Sequence, residues 1–97
     1  FRFTDVSHST TRAPDRITDF TAGQDLIDLR QIDANTATGA DNAFTYVSSL
    51  SGKAGQVAVV SLGGNNYQVR GDVNGGGADF AIDVTSATAP SAQWFLL

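Results

Sequence analysis

Two neighbouring blocks constrain this chain most, Asp15-Arg16-Ile17-Thr18-Asp19-Phe20 and Gly23-Gln24-Asp25-Leu26-Ile27-Asp28-Leu29. Apolar Ile17, Phe20, Ile27 and Leu29 are interleaved with four aspartates, and a glycine turn divides the halves. A strand that buries alternate residues reads this way, with its acids on the open face or at its ends. Such carboxylates are hard oxygen donors of the kind calcium accepts when several converge on one point.

The remaining composition removes whole classes of function. Hydrophobic residues make up 41% of the 97-residue chain and charged ones 16%, which fits one folded domain, residues 1–97, and not a disordered segment. A net charge of -4 with six scattered Lys and Arg argues against a nucleic-acid backbone as partner. The absence of cysteine excludes disulfides, thiolate metal sites and a cysteine nucleophile, so stability must come from the core or from bound cations. No apolar run is long enough to span a bilayer. Phe1-Arg2-Phe3-Thr4 reads as the middle of a strand, not as a signal peptide, and the chain is expected to be the tail of a longer protein.

Along the chain, Ser7 to Pro14 reads as a loop, Asp15 to Phe20 as a strand and Thr21 to Gln24 as a turn. Leu26 to Leu29 is a short apolar piece, with a helical turn expected after it that places Leu29 and Ile32 on one side. Strands are expected at Phe44–Val47 and Gln56–Leu62. Gly63-Gly64-Asn65-Asn66 signals a hairpin into Tyr67–Arg70. Gly71 to Asp79 reads as a glycine-rich loop, and Phe80, Ile82 and Val84 alternate in a last long strand. Ser91 is placed to cap a short helix over Ala92 to Leu96. Short strands with turn signals at about ten-residue intervals suggest an antiparallel sandwich or the end of a β-roll.

Three groups of residues could carry chemistry. Asp72-Val73-Asn74-Gly75-Gly76-Gly77 resembles the start of a calcium loop: Asp72 and Asn74 stand at the first and third ligand positions, Gly77 at the turn and Asp83 at the closing acid. Gly76 offers no oxygen at the fifth position, and a glycine-rich hairpin steadied by its own aspartates explains the same residues. His8 is the single histidine and lacks the partner ligands that a zinc hydrolase needs. Asp25 and Asp28 lie three apart, near the paired-carboxylate arrangement of glycosidases, or else serve as solvated strand-edge acids. Trp94-Phe95-Leu96-Leu97 suits core packing, or an exposed recognition tag at its last residues.

Ordered blocks across the chain carry a resemblance. Phe1-Arg2-Phe3, Ser9, Ala13 to Phe20, Gly23-Gln24-Asp25 and Ile27-Asp28-Leu29 resemble the C-terminal region of serralysin-type secreted metallopeptidases. Ile32 to Asn35, Phe44, Gly52 to Gln56, Gly71 to Gly75 and Ala78-Asp79-Phe80 continue it in order. The resemblance implies an all-β fold, an antiparallel β-sandwich or the end cap of a parallel β-roll with a short C-terminal helix or strand. It implies a noncatalytic module of a secreted, extracellular bacterial protein of the calcium-roll (RTX) kind, following an upstream β-roll and a zinc-peptidase catalytic domain. Its implied partners are those upstream domains and a type I exporter that reads Phe95, Leu96 and Leu97. Its implied cofactor is calcium, at Asp15 first and at Asp72, Asn74 and Asp79 second. Two departures weaken the calcium expectation: His8 stands where an acid is common, and Gly76 where aspartate is common.

Two other readings compete. A carbohydrate-binding module of a polysaccharide-modifying enzyme, such as an alginate epimerase, predicts an exposed aromatic strip of Tyr46, Tyr67 and Trp94. An autonomous hydrolase would use Asp25, Asp28 and His8.

Overall fold

Strand alternation decides which residues are covered, and the register shows it. A computed structural model describes residues 3, 9–12, 14–21, 24–32, 43–88 and 90–97. Its strands are β1 (Asp15–Phe20), β2 (Ile27–Asp28), β3 (Thr45–Tyr46), β4 (Gln56–Gly63), β5 (Asn66–Asp72), β6 (Phe80–Ser86) and β7 (Phe95–Leu96). A 3₁₀ turn over Ala92–Trp94 is the one helical element among the described residues. The all-β expectation holds.

Five strands form one sheet in the order β1-β6-β5-β4-β3, and β2 and β7 form a second. The β4–β5–β6 centre is antiparallel, with Val59 opposite Val69 and Val69 opposite Ile82. Each rim is parallel: β1 runs alongside β6 and β3 alongside β4. The large sheet is therefore mixed, antiparallel in its middle only. The β2–β7 pair is also parallel, with Ile27 opposite Phe95 and Asp28 opposite Leu96. It is extended by Leu29 N–H donating to Leu96 O at 3.0 Å and by Phe3 N–H donating to Asp28 O at 3.0 Å.

Geometry requires three glycines here. The β4–β5 hairpin turns through Gly63 (φ 101°) and Gly64 (φ 58°), left-handed conformations that side chains with a Cβ resist. Gly71 lies under the Phe80 ring, where a Cβ would come within 2.1 Å of the ring edge. Pairing of Val57 with Gly71 and of Gln56 with Asp72 carries β5 as far as Asp72, past the expected start of the loop.

The core lies between the two sheets. Val57, Val69, Phe80, Ile82 and Val84 of the large sheet meet Ile27, Leu29, Ile32, Trp94 and Phe95. Trp94 is fully buried, its ring centroid 4.7 Å from Phe20 and 5.6 Å from Tyr67. Ile32 N–H donates to Leu29 O at 3.1 Å, which gives the expected turn with both side chains inside. Ser91 caps as expected, its Oγ accepting from Gln93 N–H at 3.3 Å. The helix stops at Trp94, two residues early, because Phe95 and Leu96 join β2 as a strand.

Candidate functional site

Asp72 closes β5 and organises the loop that follows. It is completely buried. One carboxylate oxygen, Oδ1, accepts from Asn74 N–H at 3.1 Å and Gly75 N–H at 2.7 Å; Oδ2 accepts from Gly77 N–H at 3.0 Å. Burial pushes its pKa up, but the amides of Gly75, Gly77 and Asn74, with a smaller contribution from Asp79, outweigh this and hold the carboxyl below its ordinary 3.8. Glycine at 75 and 77, with φ of 84° and 110°, lets the backbone curl its N–H groups inward. Asn74 Oδ1 accepts from Gly76 N–H at 3.1 Å, and Asp79 Oδ2 from Val73 N–H at 2.8 Å.

The same oxygens were the expected calcium ligands, so the donor set can be tested for fit. Calcium takes about six to eight oxygens. The loop offers Asp72, Asn74 and Asp79, each already accepting backbone hydrogen bonds. Asp15 cannot complete that set. It faces Ile82, which faces Val69, so Asp15 lies two strand spacings across and three residues along from Asp72. That is about 14 Å, against the ~5 Å that separates two ligands of one ion. Among the described residues no three His, Cys, Asp or Glu come together. These residues do not by themselves make a calcium cage.

Asp15 opens β1 beside a different device. Ser9 is buried; its Oγ accepts from Asp15 N–H at 2.8 Å and donates to Ala81 O, while Ala81 N–H donates to Ser9 O at 3.0 Å. Ser9 thus ties the loop before β1 to the start of β6. His8 lies outside the described residues.

Asp25 and Asp28 serve separate turns. An Asp25 oxygen accepts from Thr21 N–H at 2.9 Å, whereas Asp28 holds Arg30 through two bonds, to Nε at 3.0 Å and Nη2 at 2.9 Å. The aromatic strip is not formed. Trp94 is buried, and Tyr46 and Tyr67 are half-buried against the core, which counts against a sugar platform built from them. The C-terminal residues are likewise part of the fold: Phe95 is buried 5.6 Å from the Tyr46 ring, and Leu97 packs on the core.

One set of polar contacts escaped sequence reading. On the face of the large sheet away from the core, Gln68 Nε2 donates to Asp83 at 2.9 Å, and Arg70 Nε donates to Gln68 Oε1 at 2.6 Å. Thr85 Oγ1 donates to Asn66 Oδ1 at 3.1 Å alongside. The available signal was period-two polarity within each strand; the cross-strand pairing was not available.

Comparison with known proteins follows the same lines. Residues 1–93 match the family described as Peptidase M10 serralysin C terminal. The metalloprotease AprA of Pseudomonas entomophila (strain L48) is 40% identical over 94 residues, which is 92% of this chain and 18% of that protein. The chain therefore spans less than a fifth of that relative. With a family match that leaves only the last four residues outside it, and with the all-β fold, the chain belongs to the serralysin C-terminal family of M10 peptidases.

Proposed function

We propose that the chain is a noncatalytic C-terminal module of a secreted bacterial calcium-roll metallopeptidase, closing an upstream β-roll and presenting the signal for type I export. The observation that carries this reading is the family match over residues 1–93. The internal wiring is in keeping with it: Asp72, Asp25 and Asp28 are engaged in turns and in a surface ion pair. Calcium would be held chiefly by the roll upstream, with Asp15 the residue of this chain that lends a carboxylate at its border. Ions bound only by the folded protein stabilise it by mass action, so calcium outside the cell favours the folded form.

The C-terminal strand adds a constraint on timing. Phe95 is buried and Leu96 O accepts from Leu29 N–H, so an exporter that reads Phe95 to Leu97 must do so before this domain folds.

Two measurements test the reading. In cells carrying a matched exporter, the intact protein should reach the medium, while a form lacking residues 95–97 should stay inside at equal expression; equal secretion overturns the export role. Thermal unfolding of the intact protein should move upward with millimolar calcium and move less in Asp15→Ala. An unchanged curve overturns the calcium role.

A further inference from the structure

The outer face of the large sheet holds a groove that neither capping nor export uses. Its volume is about 210 Å³, and Arg16, Leu62, Asn66, Asp83 and Thr85 line it, with β5 and β6 beneath at Tyr67 and Val84. We propose that this groove binds one acidic sugar ring, a uronate unit of a polysaccharide. Arg16 pairs with its carboxylate, Asp83, Asn66 and Thr85 meet its hydroxyls, and Leu62 covers its C–H face.

Size comes first. Pockets for drug-sized ligands run from about 300 Å³ upward, so this groove suits a single ring.

The chemistry of the walls then narrows the class. Arg16 stands opposite Asp83 across the β1–β6 pairing and is exposed; among the described residues no ion pair engages it. A guanidinium presented this way matches a carboxylate through two parallel hydrogen bonds. An ionised Asp83 can only accept. Gln68 Nε2 fixes one of its oxygens and is itself oriented by Arg70, which leaves the other oxygen for a ligand hydroxyl. The Thr85 and Asn66 pair adds an amide N–H donor and further acceptor capacity beside it.

Leu62 supplies the apolar element. It is 53% exposed and stands with Leu26 as the exposed large hydrophobics among the described residues. An aliphatic side chain at the rim of a hydrogen-bonding groove fits the amphipathic face of a pyranose. The charge balance agrees: the chain as a whole carries -4, yet among the described residues this face sets Arg16 and Arg70 beside Asp83.

Titration calorimetry of the intact protein with tri-uronates (galacturonate, mannuronate and guluronate) and with neutral cellotriose tests the idea. At least one tri-uronate should bind saturably, and cellotriose about tenfold more weakly or not at all, as expected for loss of one charged hydrogen-bonded pair. Arg16→Gln and Asp83→Asn should each weaken the tri-uronate about tenfold, and Leu62→Asp should also weaken it. All three positions lie on the outer face, and circular dichroism should confirm that each variant folds. No saturable binding of any tri-uronate overturns the proposal, as does equal binding of cellotriose or an unaltered Arg16→Gln. Equal binding of inorganic polyphosphate would make the groove a general anion site and overturn it too.

Discussion

The β4–β5–β6 meander and the β2–β7 pair are built in opposite ways. The meander comes from one continuous stretch, each strand pairing with the next through a short turn or the Asp72 loop. The β2–β7 pair joins Ile27 to Phe95 across most of the chain and has two residue pairs in register. Local pairing closes small loops at low entropic cost, whereas the distant pair must order everything between its strands. The small sheet is therefore expected to depend on the large one more than the reverse, although Trp94 and Phe95 supply part of the common core.

Removing Trp94 should stress that dependence most. Trp94→Ala is expected to lose about 4 kcal/mol, typical of a fully buried large aromatic. Hydrogen exchange should show the amide of Leu29 opening well before those of Val69 and Ile82; simultaneous opening would make the two regions one cooperative unit. Trp94→Phe should cost far less, since the buried indole N–H has no partner among the described residues and its removal leaves nothing unsatisfied.

Gly71→Ala attacks the meander itself. A methyl within 2.1 Å of the Phe80 ring forces the ring or the strand to move, at a cost of about 3 kcal/mol. Here denaturant melts should show both regions lost together, because the dependent sheet falls with its support. Survival of the meander with only local change would reverse the proposed hierarchy.

Asp72→Asn is the mildest of the three, at about 2 kcal/mol at neutral pH, because an amide keeps one acceptor oxygen and loses the charge. The pH dependence has a definite sign. A carboxyl held below 3.8 in the folded state stabilises the protein above that pH, and the contribution fades as pH falls through the folded value. Acid melts of the wild type should show this decline and Asp72→Asn should flatten it. Parallel acid profiles would detach the loop from Asp72.

Period-two alternation made β1, β4, β5 and β6 readable from sequence, since one side of each faces the core. Gly63 and Gly64 announced their hairpin through the positive φ that the turn requires. Parallel partners were not readable: nothing local in Asp15–Phe20 points to Phe80–Ser86, and nothing in Ile27–Asp28 points to Phe95. The helix expected to reach Leu96 failed for the same reason, because a distant strand captured its second half. Asp72 was visible as an oxygen donor, but its ligands proved to be backbone N–H groups, and an amide that turns inward has no letter in the sequence. The groove at Arg16 and Asp83 was hidden likewise, since its walls come from strands that meet only after folding.

The placement of β7 also has a mechanical consequence. A pull on the C-terminus loads the two-residue β2–β7 zipper first, long before tension reaches the seven paired positions between β4 and β5. Under optical tweezers the domain should give a small early rip followed by a larger one, and a single rip would show that both sheets yield as one body. A motor that grips the tail thus starts at one of the two shortest strand pairings among the described residues.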